Sequence, residues 1–150
     1  MATKSVQTLL ERGLSQLEEE LSAYSSESNL WLTDGSISNS AGNLALHLCG
    51  NLQHFIGATL GHSDYVRDRD AEFADRDVPR EDMLRQVHET LTSIRAALSQ
   101  LTPEDLAQTY PVSVRPQPVT TEFWLIHLTA HLNYHLGQIN YHRRLFDAPK

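Results

Sequence analysis

Three histidines recur at intervals of four residues near the end of the chain, at His127, His131 and His135 in the stretch HLTAHLNYHLGQINYH. Imidazoles at positions i and i+4 share one face of a helix, and this spacing is typical of sites that bind a divalent metal. His142 falls in the same sector but nearly two turns beyond His135, too far to reach the same ion. Because two ligands on one helix hold a metal poorly, a third is expected from another element.

A second stretch of helical pattern carries histidines in a comparable position. His47 and His54 border its apolar stripe, at the edge of the expected core. One histidine from this helix and two from the last would leave coordination positions open, which suits Zn²⁺ or Ni²⁺ and admits water or substrate. The alternative is that these histidines are hydrogen-bonded or half exposed at the core edge, since the HxxxH spacing is common. His62 and His88 show no such pattern and are expected to face solvent.

The hydrophobic pattern predicts four helices that would position these side chains. They run from about Thr3 to Tyr24, from Ser38 to Leu60, from just after Pro79 to Thr102, and from Thr120 or Thr121 to Phe146. A long connection without apolar periodicity spans Gly61 to Pro79, and the three prolines of TYPVSVRPQPVTT indicate an extended crossover before the last helix. The prediction is a single-domain, all-α four-helix bundle over residues 1–150. Strands within 109–119 are the alternative, which the prolines disfavour.

Composition excludes several classes of function. The formal charge of −7 and the scattered basic residues disfavour a nucleic-acid partner. Cys49 is the only cysteine, so an intrachain disulfide and a cysteine-based structural zinc site are excluded. No apolar run approaches the length of a membrane span, and no secretory signal is visible at the N-terminus, so we expect a cytoplasmic protein without a membrane partner.

The string HLNYHLGQI, with NLALHLCGNLQHFI and RDRDAEF upstream, resembles the signature of the DinB-like superfamily, in a branch of small uncharacterised bacterial proteins. The resemblance covers essentially the whole chain and implies an up-up-down-down-like bundle that is usually a dimer. It also implies one metal ligand from helix two and two from the last helix, which match His47, His131 and His135. Leu136 stands where the signature often has arginine, so the role of that arginine is absent or supplied elsewhere.

Other polar residues around such a site have two readings each. Candidates for the pocket wall or for hydrogen bonds to the free imidazole nitrogens are His127, His54, Gln138 and Asn51. Gln138 and Asn51 could equally serve only to satisfy helix surfaces. Arg67 and Arg69 could bind a substrate carboxylate through a guanidinium fork, or could belong to a solvated loop that pairs with itself.

The resemblance implies a metal that activates a low-molecular-weight thiol, such as bacillithiol or mycothiol, or a water molecule. A divalent metal lowers the pKa of a bound thiol or water and produces a nucleophile at neutral pH. The leading hypothesis is therefore a thiol S-transferase or hydrolase that acts on a small electrophile and holds one divalent ion, Zn or Ni, per chain. The alternatives are a non-catalytic dimeric bundle that binds a metal or small ligand, and a metal-free dimeric scaffold.

Overall fold

The computed structural model describes residues 2–147, and this part of the chain is helical without a β-strand. Its α-helices are α1 (Ala2–Ala23), α2 (Ala41–Leu52), α3 (Arg69–Ala74), α4 (Arg80–Leu98), α5 (Pro103–Ala107) and α6 (Thr121–Phe146). A 3₁₀-helix, Glu27–Trp31, precedes α2, and a π-helical segment, Gln53–Ala58, continues it. The all-α prediction is confirmed, and segment 109–119 contributes a single isolated bridge at its edge, between Thr109 and Thr120.

The four long helices enclose one apolar core. α1 packs against α4 and α6, and α2 packs against the same two helices, so α1 and α2 lie diagonally across the bundle. In α1 the buried side chains recur every three or four residues, as Leu10, Leu14, Leu17 and Leu21. Each fully buried leucine contributes about 1.5–3 kcal/mol to folding. The core that the sequence pattern predicts is therefore the structure's main stabilising element.

Contacts between the helices fix their directions. They are Glu11–Arg95 and Tyr24–Arg80 for α1 with α4, Gly13–Leu132 and Glu20–Arg143 for α1 with α6, and His47–His131 and Phe55–Trp124 for α2 with α6. Among these three pairs, residue numbers rise together for α1 and α6, which are parallel, and run in opposite directions for the other two, which are antiparallel. The order is up-down-down-up, so the up-up-down-down-like order implied by the resemblance is wrong. The connection from α2 to α4 is the one that must span the bundle's length.

Local capping explains where the helices begin. α2 starts at Ala41, three residues later than predicted, because the Ser40 hydroxyl accepts a hydrogen bond from the Asn43 amide and acts as N-cap. Thr120, one of the two threonines that the sequence offers as N-cap, caps α6 in the same way. The predicted long connection between Gly61 and Pro79 contains α3, whose six residues are too few to show a helical period.

Asp147 joins the end of α6 to the connection that follows α1. Its carboxylate accepts hydrogen bonds from the backbone and hydroxyl of Ser25, at 2.6 and 2.9 Å, and from the Asn29 amide at 2.8 Å. Burial opposes ionisation, but these bonds and one from Ser26 together hold the pKa of Asp147 at about 2. The carboxylate thus holds two chain segments together at neutral pH.

Asp147→Asn should remove an acid-dependent part of the stability. Because the folded-state pKa is lowered from 3.8 to about 2, the stabilisation is complete above pH 4 and is lost as the pH falls towards 2. Urea midpoints measured between pH 7 and pH 2 should therefore fall less steeply for the variant than for the wild type. Asp64→Asn, at an exposed position, is the control and should keep the wild-type profile. Equal pH profiles for wild type and Asp147→Asn would refute this role.

Within residues 2–147, no helix combines the length and the apolar character that a membrane crossing requires.

Candidate metal centre

Three histidines meet between α2 and α6. The Nε2 atom of His131 lies 3.2 Å from Nε2 of His47 and 3.1 Å from Nε2 of His135. One nitrogen from each of the three rings can be chosen so that all lie within 4.8 Å of one another. Nitrogens bound to one tetrahedral Zn²⁺ lie roughly 3.3 Å apart, so two of the separations already have the spacing of a metal site.

The helices place these rings by simple periodicity. Leu128, Leu132 and Leu136 are buried on the core face of α6, and this face leaves His131 and His135 at its edge, half buried. His47 is 7% exposed because α2 is buried along its whole length. The α6 pair follows from the four-residue spacing alone, whereas the approach of His47 depends on how α2 packs against α6.

Glu72 of α3 determines which nitrogen of His47 carries the proton. Its Oε2 lies 2.9 Å from His47 Nδ1, and Arg67 donates to both carboxylate oxygens, at 2.7 and 2.9 Å. Burial raises the pKa of Glu72, but the hydrogen bonds from His47 and Arg67 outweigh burial and lower it. An ionised carboxylate only accepts hydrogen bonds, so the proton on His47 Nδ1 faces Glu72, and Nε2 is the nitrogen left for a metal, facing His131. Arg67 Nη2 also lies 3.3 Å from this Nδ1, but it cannot donate to a nitrogen that carries the proton.

Gln138 fixes the proton of His135 in the same sense. Its Oε1 accepts a 2.6 Å hydrogen bond from His135 Nδ1, which leaves the His135 Nε2 lone pair directed at His131. The Nε2 atom of His131 can donate to at most one of its two neighbours, so at least one of the two short contacts has no hydrogen bond to stabilise it. A cation among the three nitrogens would relieve this contact, and the donor set therefore fits a divalent metal.

The protonation states of the α6 pair also suit metal binding. Burial, together with the neighbouring His135 and His47, lowers the pKa of His131 to about 4. Burial also lowers the pKa of His135, against the opposing effect of the Gln138 hydrogen bond. Both imidazoles are neutral at pH 7, which is the form that binds a metal.

Gly50 makes the Glu72 contact possible. A Cβ atom at Gly50 would overlap Oε1 of Glu72 and would lie 3.3 Å from the Tyr65 hydroxyl. No side chain therefore fits at Gly50 unless the carboxylate moves away from α2. Tyr65 and Glu72 both belong to the long connection after α2, so this glycine lets the connection pack close to the histidines.

Gly50→Ala should weaken metal binding without removing a ligand. Displacing Glu72 frees the His47 ring to rotate and to change tautomer, and loss of such outer hydrogen bonds costs about 10- to 100-fold in metal affinity. Competition with a chromogenic chelator measures this change. Gly137→Ala on α6 is the matched control, because a Cβ there meets no atom within 4 Å. Unchanged affinity in Gly50→Ala would show that Glu72 does not fix the His47 ring.

Two other predicted histidines lie beside the cluster rather than in it. The His127 ring stacks on Trp124 at a centroid distance of 4.6 Å and lies 6.4 Å from the His131 ring. The His54 ring packs edge-on against Phe55 at 4.7 Å. Within residues 2–147, neither hydrogen-bonds to the three clustered histidines. His127 thus belongs to a row of neighbouring aromatic rings on α6, from Trp124 to His135. His54 lies further along the helical stretch that begins with α2.

Asn51 and the two arginines differ in their surroundings. Asn51 is buried, makes no hydrogen bond to a histidine, and its Oδ1 has no partner within residues 2–147. Arg67 is engaged by Glu72 and lies over the Phe55 ring at 5.7 Å. Arg69 is exposed over the Phe73 ring at 5.2 Å. A role for either arginine in substrate binding stays a prediction.

Sequence reasoning did not identify Glu72 and Phe73 as neighbours of His47. Phe73 packs against the His47 ring with centroids 4.9 Å apart, and Glu72 holds its Nδ1 proton. Both residues belong to the stretch RDRDAEF, but no periodic pattern in the sequence indicates that this stretch lies against His47. His142 accepts from the Tyr24 hydroxyl at 2.7 Å and donates to the Leu32 carbonyl at 2.8 Å, so its contacts lie away from the cluster.

The fold and the site together define an all-α bundle with three histidines that could hold a metal ion. A family model described as "Protein of unknown function (DUF1572)" matches residues 2–149, and the chain belongs to this family.

Comparisons with other proteins concern the fold. The crystal structure of "the conserved protein of locus from Enterococcus faecalis" is similar, with a TM-score of 0.74 and 21% sequence identity over 96% of each chain. At this identity the likeness shows a shared fold alone. Among curated proteins, none matches the chain.

Proposed function

We propose that the chain is a metal-dependent enzyme of the DinB-like superfamily, with one Zn or Ni ion held by His47, His131 and His135. The observation that carries the proposal is the convergence of three imidazole nitrogens from two helices, with the Nδ1 atoms of His47 and His135 bonded to Glu72 and Gln138 outside the cluster. A structural site closes its coordination shell with four protein ligands, whereas three ligands leave a position for a reactant. The proposed reaction is attack of a low-molecular-weight thiol, or of water, on a small electrophile.

The bound ion would supply a positive charge that lowers the pKa of a thiol or water beside it. The chain's own residues prepare the ligands for that ion. Glu72 and Gln138 keep the Nδ1 protons of His47 and His135 in place, and Arg67 holds the Glu72 carboxylate in one orientation. Three neutral ligands leave the charge of a divalent ion uncompensated, which favours an anionic nucleophile.

Turnover tests this proposal. The metal-loaded chain would be assayed with several bacterial thiols and one electrophile, and for hydrolysis of activated esters. His47→Ala should abolish the activity, whereas His88→Ala, which replaces an exposed histidine that pairs with Glu18, should leave it unchanged. Activity that persists in His47→Ala after its metal is lost would contradict the assigned mechanism.

One observation favours a second candidate, a non-catalytic bundle that binds a metal or a small ligand. Glu72 is the carboxylate that contacts the histidine cluster, and it already accepts from both His47 and Arg67. Within residues 2–147 the cluster therefore has no free carboxylate beside it to act as a proton acceptor. Metal binding at full stoichiometry without turnover on any thiol or ester would support this candidate.

A homodimer is also part of the proposal. Phe123 and Ile126, near the start of α6, are 46% and 55% exposed and lie close together on the side away from the core. Large apolar side chains grouped on a surface are typical of association sites. Sedimentation velocity should show a dimer that Ile126→Lys converts to a monomer, and a monomeric wild type would contradict this part of the proposal.

A further inference from the structure

A cavity of about 460 Å³ opens beside His135, between α6 and segment 36–39. Its volume lies within the range of ordinary ligand pockets, roughly 300–1,000 Å³. Its lining includes the apolar or aromatic side chains of Ile37, Leu44, Tyr134, Tyr141 and Leu145, and the imidazole of His135. His135, one of the three proposed metal ligands, is therefore also part of the wall of this cavity.

The lining of this cavity carries no Asp, Glu, Lys or Arg side chain. A charged ligand would lose hydration on entering and would find no side chain of opposite charge, which is unfavourable. In the whole chain, by comparison, 21% of the residues are charged. The lining therefore selects for an uncharged ligand.

The walls of the cavity are apolar and aromatic. Tyr134 and Tyr141 lie two turns apart on one face of α6 and remain 66% and 64% exposed, and Leu145 continues the same face at 58%. Exposed large apolar side chains around one cavity are typical of a binding site. The Arg144 guanidinium lies over the Tyr141 ring at 5.4 Å, outside the lining, and helps to fix that ring. Two tyrosine faces suit a flat ring in the ligand.

Polar side chains also line the cavity, and one of them, Gln138, lies beside His135. The Gln138 amide nitrogen donates to the Tyr134 hydroxyl at 3.4 Å, so the proton of that hydroxyl is free to donate to a ligand. On the opposite side, the Ser36, Ser38 and Asn39 side chains line the cavity and make no hydrogen bond within residues 2–147. A carbonyl-type acceptor on the ligand would therefore find a donor next to the proposed metal site.

We infer that this cavity binds a small, uncharged molecule with an aromatic ring and a carbonyl-type acceptor, and that this molecule is the electrophilic substrate. The second half rests on the proposed function, whereas the binding itself needs no metal. The electrophile would then be an uncharged aromatic carbonyl compound. It would bind in the cavity next to the three nitrogens that would hold the ion, not among them.

A matched pair of probes tests the inference. Indole-3-acetamide and indole-3-acetate differ only in an uncharged amide against a carboxylate. Each would be titrated into the full chain, as purified and after chelation of metal, and followed by ¹H–¹⁵N NMR. The amide should shift resonances of residues 36–39 and 134–145 in both preparations. In the chelated chain the carboxylate should bind at least about tenfold more weakly, because no Lys or Arg side chain of the lining offsets its lost hydration.

Tyr141→Ala is the variant that should lose binding. Removal of one aromatic wall should weaken indole-3-acetamide by about three- to tenfold. Phe123→Ala, which removes an exposed aromatic ring of the same helix outside the cavity, should bind as the wild type does. Both variants should keep their full metal content, because neither residue contacts the histidine nitrogens.

Three results would overturn the inference: equal or tighter binding of the carboxylate in the chelated chain, no effect of Tyr141→Ala, or loss of a dimer in Tyr141→Ala. The last would mean that a second copy of the chain covers this wall. Amide binding by a wild-type chain that takes up no divalent metal would contradict the proposed function but not the binding site. Full metal binding and turnover without amide binding contradicts the site alone.

Discussion

Replacing His131 by alanine is expected to reduce the bound divalent metal from about one ion per chain to almost none. His131 is the central ligand, since its Nε2 lies 3.2 Å from His47 Nε2 and 3.1 Å from His135 Nε2. Its removal leaves two nitrogens on different helices, too few to hold an ion against dilution. Elemental analysis of untagged protein, equilibrated with Zn²⁺ or Ni²⁺ and then desalted, measures the stoichiometry.

His127→Ala is the matched control for this loss. His127 lies one turn earlier on the same helix, but its ring stacks on Trp124 and stays 6.4 Å from the His131 ring. It should therefore keep its metal, which separates loss of a ligand from loss of any histidine on this face. A wild-type chain with almost no metal, or a His131→Ala chain with a full complement, would exclude the proposed site.

The parts of the site that the sequence predicted are those set by local periodicity. The four-residue spacing brings His131 and His135 together whatever the rest of the fold does, because a helix has 3.6 residues per turn. Thr120 begins α6 where a threonine before an apolar run is typical of an N-cap. The placement of His47 opposite them depends on how α2 packs against α6, which local periodicity does not determine. The choice of His47 as the third ligand came from the family resemblance.

What the sequence could not predict comes from the connection after α2. The approach of Glu72 to His47 joins residues 25 positions apart, through a segment with no helical or strand period. The requirement for glycine at position 50 appears only when that segment is folded back on α2. Helix direction was also beyond local patterns, because it depends on which connection spans the bundle. These contacts are tertiary, and neither periodicity nor capping encodes them.

Arg67→Met should destabilise the fold by about 3–5 kcal/mol, the usual cost of breaking a buried ion pair from one side. Glu72 is 6% exposed, and Arg67 supplies two of its hydrogen bonds in a fork. Methionine fills much of the same space, but it leaves the carboxylate buried with His47 as its remaining partner among the contacts described. Urea unfolding at pH 7 measures the loss, and metal affinity should fall with it because Glu72 is no longer held.

Arg69→Met and a double variant identify the cause of that loss. Arg69 is exposed over Phe73, without an ion pair in the described part of the chain, so its replacement should cost at most about 1 kcal/mol. Arg67→Met combined with Glu72→Gln removes the stranded charge and should be more stable than Arg67→Met alone, since a neutral amide is less costly to bury. Glu72→Gln alone is measured as well. If the free energy of unfolding lost by the double variant equals the sum of the losses of the two single variants, then packing of the arginine side chain, and not its compensation of the buried carboxylate, holds this connection against α2.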